Sequence, residues 1–305
     1  MKPTAVILAA GLGTRMGELT RTRPKAMVRY RGKPALEHIL DALQGTVDQC
    51  VIVVVHQKEQ IIDHFKSRYK NVWLRYVEQP TLLGTTDATL RALPLVREST
   101  LLMFCDNLFD AGEIRKVAST PDSLIYCRKD KPANHGLLYP PTGPPFSALE
   151  EKPALERWSR FRRNDELYNC FCGCVHLSHD FHDFVAARPL DALVSEHPDI
   201  PSVIGQYAQE RPLAGVPIFW RSTLYTPLGT LDELQKAYAG LRIPCSETRA
   251  LAWHSDGWMS VARNDSHALD ARPLLDAEKR FLLEHYKPEG VIDVIHTAPW
   301  RLDNP

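Results

Sequence analysis

Residues 8–25 read Leu8-Ala9-Ala10-Gly11-Leu12-Gly13-Thr14-Arg15-Met16-Gly17-Glu18-Leu19-Thr20-Arg21-Thr22-Arg23-Pro24-Lys25, and the rest of the chain is arranged around them. The run Thr4-Ala5-Val6-Ile7-Leu8 leads in and is apolar enough for a buried strand. Four small residues follow: Ala9, Ala10, Gly11 and Gly13. Small residues let a backbone pass close to a ligand, and glycine also reaches positive φ. Successive N–H groups in such a turn form a nest for anions. Thr14 adds a hydroxyl, and Arg15 a planar cation whose fork of donors suits phosphate. Lys25, beside the restricting Pro24, adds a second cation. A strand, a backbone cradle and two cations in one segment describe a triphosphate site on an α/β sheet.

Three phosphate loops compete for this reading. A P-loop needs G-x-x-x-x-G-K-[ST], and no lysine follows Gly13 or Gly17. A Rossmann dinucleotide loop needs G-x-G-x-x-G, and here Gly17 comes one position late. It also needs an acid closing the second strand, whereas Cys50-Val51-Ile52-Val53-Val54-Val55 ends at His56-Gln57. The third pattern is G-x-G-T-R followed by P-K. Gly11-Leu12-Gly13-Thr14-Arg15 and Pro24-Lys25 match it without a gap. On these motifs the chain resembles the sugar-phosphate nucleotidyltransferases: hexose-1-phosphate uridylyl-, thymidylyl-, guanylyl- and cytidylyltransferases, with choline-phosphate cytidylyltransferases nearby. The resemblance implies the nucleotide-diphospho-sugar transferase fold, a doubly wound Rossmann-like mixed sheet flanked by helices.

Composition sets the outer bounds. The 305 residues suffice for one large α/β domain or two small ones, and 44% hydrophobic content is ample for a core. A formal net charge of zero argues against a general binder of nucleic acid or membrane surface. No run of eighteen apolar residues and no signal-peptide pattern is visible, so a cytoplasmic protein is expected. The seven cysteines, several in apolar runs, fit reduced buried thiols. Cys170, Cys172, Cys174 and His176 alternate, which on a strand puts all four on one face. With no second ligand pair they read as a buried face rather than a zinc site.

Along the chain, helical spacing over Ala35–Leu43 and Glu59–Tyr69 alternates with strands at Val51–Val55 and Val72–Val77. This alternation is that of a doubly wound sheet. A helix is expected over Asp87–Leu95 and strands at Thr100–Phe104, Ser123–Cys127 and Phe171–Leu177. Further helices are expected over Phe181–Ala187 and Ile200–Ala208. Residues 1–240 form the expected nucleotidyltransferase domain. Residues 241–305, with an amphipathic stretch at Leu274–Tyr286, are expected to be a helical extension that packs on the core or mediates self-association.

The resemblance assigns roles to individual positions. Leu8, Ala10, Gly11, Gly13, Thr14 and Arg15 would meet the nucleotide, with Arg15 and the loop amides on its leaving phosphates. Lys25 would bridge the α-phosphate and the acceptor. Gln79 would read the base edge, its amide pairing through both donor and acceptor. Gly84 and Thr85 would lie under the base. Asp106 ends an apolar strand, where an acid facing a polyphosphate suits Mg²⁺. Gly136, Glu151 and Lys152 would receive the phosphorylated acceptor, with Gly173 on the strand beside them. The family's second metal aspartate falls at Pro227, within Pro227-Leu228-Gly229-Thr230-Leu231-Asp232-Glu233-Leu234. Proline cannot ligate, so Mg²⁺ is expected on Asp106, phosphate and water, with Asp232 the alternative acid. The implied activity is transfer of a nucleoside monophosphate from an NTP to a phosphorylated acceptor, a sugar 1-phosphate or a small phosphorylated alcohol or phosphonate. A non-catalytic binding protein of the same fold is the competing class.

Overall fold

The structure is a computed structural model. It describes residues 2–31, 33–132, 135–162, 167–218, 225–230, 233, 242–244, 249–254, 257–262 and 272–273. Chain order begins β1 (Thr4–Leu8), β2 (Arg29–Tyr30), β3 (Lys33–Pro34), α1 (Ala35–Ala42), β4 (Gln49–Val54), α2 (Lys58–Phe65), β5 (Arg68–Tyr69), β6 (Val72–Glu78) and α3 (Gly84–Ala92). It continues through β7 (Thr100–Phe104), β8 (Asn107–Phe109), α4 (Ala111–Ala118), β9 (Ser123–Lys129), β10 (Leu137–Tyr139), β11 (Ala148–Glu150) and β12 (Tyr168–Leu177). Next come α5 (His179–Ala186), α6 (Leu190–Glu196), α7 (Ile200–Glu210), β13 (Ala214–Ile218) and β14 (Tyr225–Pro227). The last described strands are β15 (Arg242–Pro244), β16 (Arg249–His254), β17 (Gly257–Ala262) and β18 (Arg272–Pro273).

The central sheet follows from the apolar runs. β7, β1, β4 and β6 lie side by side and parallel, and β12 joins antiparallel on the β7 edge. Parallel strands must be covered on both faces, and the burial of β1 shows this directly. Ala5 and Ile7 face a core shared with Leu36, Ile39 and Leu40 of α1 and Ile114 and Val117 of α4. Val6 and Leu8 face a second core with Ala88 of α3, Phe181 of α5 and Ile204 and Tyr207 of α7. The chain is thus a mixed sheet with helices on both faces.

β12 makes the bend that opens the site. It pairs with β7 through Cys174–Leu177, and with β10 through Cys170. Its ladder to β9 breaks between Phe171 and Val175. Gly173 sits in this bulge at φ +81°, and a Cβ there would come within 2.7 Å of the Phe104 ring. Only glycine meets both demands. Cys170, Cys172 and Cys174 all face one core, as the alternation predicts, and His176 bonds Ser99 Oγ at 2.9 Å.

Several elements differ from their expected extents. The helix expected over Glu59–Tyr69 stops at Phe65, because Lys66 turns to φ +55° and Arg68–Tyr69 pairs with β6 instead. α3 starts three residues before Asp87, at Gly84, and gives way to a 3-10 turn at Leu93–Leu95. α4 and α6 were not marked by spacing. Where a helical extension is expected after residue 240, the described residues are strands: β15 to β18 form a four-stranded antiparallel sheet. The stretch Leu274–Tyr286 lies outside the described residues. No helix among the described residues is long and apolar enough to cross a membrane.

Burial makes acid stability depend on histidine. Burial first of all holds His38, His176 and His182 below the ordinary value of 6.5, and pushes His135 down to about 3. A lowered folded value means that below about pH 6.5 the unfolded chain binds protons that the folded chain does not. Stability should therefore fall as pH drops from 7 to 5, before the carboxylates titrate. The Asp41 carboxyl, lowered to about 2, keeps its contribution throughout that window. Urea unfolding midpoints at pH 7, 6 and 5 check this; a flat series refutes it.

Candidate active site

The cleft lies beyond the carboxyl ends of β1, β6 and β7, where open α/β sheets place their ligands. Its volume is about 540 Å³. Leu8, Ala10, Gly11, Gly13, Thr14, Arg15, Lys25, Gln79, Gly84, Thr85, Asp106, Gly136, Glu151, Lys152 and Gly173 all line it. The structure thus brings these residues into one cavity, although they come from five separate stretches of chain.

The loop after β1 is held from beneath. Gly13 stands at φ +67°, and its carbonyl accepts from Thr20 Oγ1 and the Met16 amide, both at 2.8 Å. A Cβ at Gly13 would press on Thr20 at 2.8 Å. No backbone carbonyl among the described residues accepts from the amides of Gly11 to Arg15. Arg15 is exposed and makes no hydrogen bond or ion pair among the described residues. Its guanidinium is left for a ligand.

Asp106 is the acidic centre of the cleft. Its Oδ2 pairs with Lys25 Nζ, and its Oδ1 accepts from Asn107 Nδ2 at 2.8 Å. The two charged side chains are 9% and 18% exposed. Burial opposes the charge on Asp106. The Lys25 charge and hydrogen bond, with the more distant Arg15, outweigh it and hold the carboxyl below the usual carboxylate range. The Lys25 ammonium, expected on phosphate, thus rests on the carboxylate expected to hold metal. The position of the family's second aspartate is beside it: Pro227 pairs with Asn107 across β8 and β14, and the Leu228 amide donates to the Asp106 carbonyl at 2.7 Å.

The base end departs from expectation. Gln79 is 2% exposed, and its amide nitrogen donates to Gly84 O and Asp87 Oδ2, each at 2.9 Å. Both partners can only accept, so both amide protons are spent and the orientation of the amide is fixed. The expected two-way pairing with a base edge is not available; Gln79 offers only its carbonyl oxygen. The start of α3 is likewise bound by the loop before α7. Thr86 N donates to Pro198 O at 2.9 Å, and Thr85 Oγ1 accepts from Ile200 N at 2.9 Å. Gln79→Ala should cost about 1–3 kcal/mol, because Gly84 O and Asp87 Oδ2 then lose a buried donor. Urea unfolding measures it, and an unchanged midpoint would show that water replaces the amide.

In the same cleft, Lys152 Nζ meets Glu151 Oε1 at 2.8 Å, and Glu151 faces Gly136. His135 joins them. Burial, then the Lys129 and Lys152 charges, keeps its imidazole neutral, and Lys129 Nζ lies 3.2 Å from Nε2. His135, Asp199 and Glu233 also line the cleft, and sequence reasoning gave them no role. For Glu233 a signal existed: Thr230-Leu231-Asp232-Glu233 has capping-box spacing, and Glu233 N donates to Thr230 Oγ1 at 3.1 Å. Asp232, the alternative acid, lies outside the described residues.

No group of three or more His, Cys, Asp or Glu converges among the described residues. The acids lining the cleft near Asp106 offer oxygen alone. That donor set fits Mg²⁺, which takes one or two carboxylates and completes its shell from phosphate and water.

Residues 5–171 match the MobA-like NTP transferase domain. Over 152 residues the chain is 34% identical to the bifunctional protein GlmU of Methanococcus maripaludis, which covers 50% of this chain and 36% of that protein. Over 109 residues it is 41% identical to the UTP–glucose-1-phosphate uridylyltransferase AglF of Haloferax volcanii, covering 35% of this chain and 45% of that one. The chain therefore spans less than half the length of these relatives. The fold is also that of a UDP-glucose pyrophosphorylase solved with UDP-glucose, at a TM-score of 0.62 and 17% identity over 78% of this chain and 97% of that one.

Proposed function

Because the chain belongs to the MobA-like NTP transferase family, we propose that it transfers a nucleoside monophosphate from an NTP to a sugar 1-phosphate, releasing pyrophosphate. UTP is the proposed nucleotide. The single observation that carries the reading is the arrangement of charge in one cleft. The amide turn with Arg15, the Lys25–Asp106 pair, and Glu151 with Lys152 all line it. Those are cationic and amide groups enough for a triphosphate and a second phosphate.

An oxygen of the acceptor phosphate attacks the α-phosphorus. One P–O bond forms, and the bond to the β-phosphate oxygen breaks. The acceptor is already anionic near neutral pH, so no general base is needed. Positioning and charge neutralisation supply the rate. The Gly11–Arg15 amides and the Arg15 guanidinium hold the leaving pyrophosphate. Lys25 leaves Asp106 and follows the charge on the α-phosphate. Glu151 accepts from an acceptor hydroxyl, and Lys152 holds the acceptor phosphate. When bound at Asp106, Mg²⁺ offsets charge on the transferring group. The Gln79 oxygen accepts from a donor on the base edge, which the N3–H of uracil provides. Every other base also carries such a donor, so the choice of UTP rests on the 41% identity to a UTP-dependent relative.

Pyrophosphate release, measured over a panel of the four NTPs and phosphorylated acceptors, tests this. UTP with a hexose 1-phosphate should be the fastest pair. Nucleotide binding with no turnover for any pair would establish the non-catalytic class instead. Lys152→Ala should raise KM for the acceptor by about tenfold or more and leave KM for the NTP near its original value. Equal effects on both would move Lys152 away from the acceptor phosphate.

A further inference from the structure

We infer that Glu233 supplies the second carboxylate of the metal site, in place of the acid that Pro227 cannot provide. The inference rests on the nucleotidyltransferase reading and concerns the same cleft. Pro227 lies across the β8–β14 ladder from Asn107, the residue after Asp106. The chain then passes close over Asp106 through the Leu228 amide. Gly229 follows without a side chain. A Cβ placed on it would lie 2.8 Å from Glu233 Oε2 and 3.3 Å from Asp106 Oδ2. The two carboxylate oxygens therefore flank one point and lie no more than about 6 Å apart. Mg²⁺ holds its oxygens at about 2.0–2.1 Å, so two ligands stand up to about 4 Å apart. The rotatable bonds of Glu233 close the difference.

Charge points the same way. Lys25 matches Asp106, but no cation among the described residues pairs with Glu233. A bare carboxylate beside a polyphosphate repels it. A divalent cation between them turns that repulsion into attraction. The rival role is the capping box, in which Glu233 would accept from the Thr230 amide. Only half of that motif is formed: Glu233 N donates to Thr230 Oγ1, and the return bond is not among the hydrogen bonds of the described residues. Glutamine serves a capping box as well as glutamate does, so it separates the two roles.

The experiment is Mn²⁺ binding followed by electron paramagnetic resonance. Wild type, Glu233→Gln and Glu233→Ala are titrated in the presence of α,β-methylene-UTP, with melting temperatures recorded alongside. Glu233→Gln should weaken Mn²⁺ by tenfold or more. Its melting temperature should stay unchanged, and its metal-free affinity for the analogue should hold or rise, because the charge that repels the phosphates is gone. Glu233→Ala should weaken Mn²⁺ to the same degree, with any loss of cap appearing only in its melting temperature. Unchanged Mn²⁺ affinity in Glu233→Gln, while wild type binds, overturns the assignment of Glu233 and leaves the enzyme reading intact. Wild type that binds the analogue but no Mn²⁺ overturns the metal site altogether, and the pyrophosphate assay then judges the enzyme reading separately.

Discussion

Arg15→Ala should lower kcat by about 10²–10³-fold, the loss seen when one preorganised charge-stabilising donor is removed. The side chain is exposed and makes no hydrogen bond or ion pair among the described residues, so folding has little to lose. Its charge reaches Asp106, whose carboxyl it helps to keep ionised behind the stronger effect of Lys25. An interaction of this kind, absent from the resting protein and formed on the departing pyrophosphate, acts on the transition state more than on ground-state binding. The affinity for intact NTP should accordingly fall less than kcat. Single-turnover kinetics with a melting curve for the variant decide the matter. Near-normal turnover in a well-folded Arg15→Ala would take the loop out of the mechanism.

The parts of the site that sequence shows are those where residue type and position coincide. Gly11 to Arg15 must follow a buried strand, and five apolar residues ending in Asp106 can only be a strand end. Both readings agree with β1 and β7. What the sequence conceals depends on neighbours that are distant along the chain. Gln79 looks like a free amide until α3 is placed, and then its two protons belong to Gly84 and Asp87. Gly173 is a glycine in an apolar strand, and its bulge becomes visible only with Phe104 beside it. Glu233 has the spacing of a helix cap, and nothing in that spacing reveals an acid 127 positions earlier in the chain. α6, Leu190–Glu196, is missed for a local reason: seven residues hold too few turns for periodicity to register, and Leu193 alone is buried. The strands β15 to β18 fall after the last nucleotidyltransferase motif, so that resemblance does not reach them.

Asp106→Asn should nearly abolish turnover, by about 10³-fold or more, the scale attached to charged groups on a transferring phosphoryl. Asparagine keeps the size of the side chain and an oxygen that can still accept from Asn107 Nδ2. It removes the negative charge that faces Lys25 and that would hold the metal. Breaking a buried ion pair from one side costs about 3–5 kcal/mol where the remaining charge stays buried. Here that figure is an upper bound, because Lys25 lines the cleft and its ammonium can turn to solvent. The variant should therefore fold at 25 °C with a lowered melting temperature, and bind NTP with a smaller loss than its loss of turnover. Freed of Asp106, Lys25 would sit on the α-phosphate in the ground state, which helps binding and does nothing for the missing metal. Activity titrated with Mg²⁺ makes the distinction: wild type should rise to saturation, and Asp106→Asn should stay flat at every concentration. Asp232→Asn, at the neighbouring acid of the closing motif, should titrate like wild type. Full metal-dependent turnover in Asp106→Asn, with loss in Asp232→Asn, would move the metal from the end of β7 to the loop after β14.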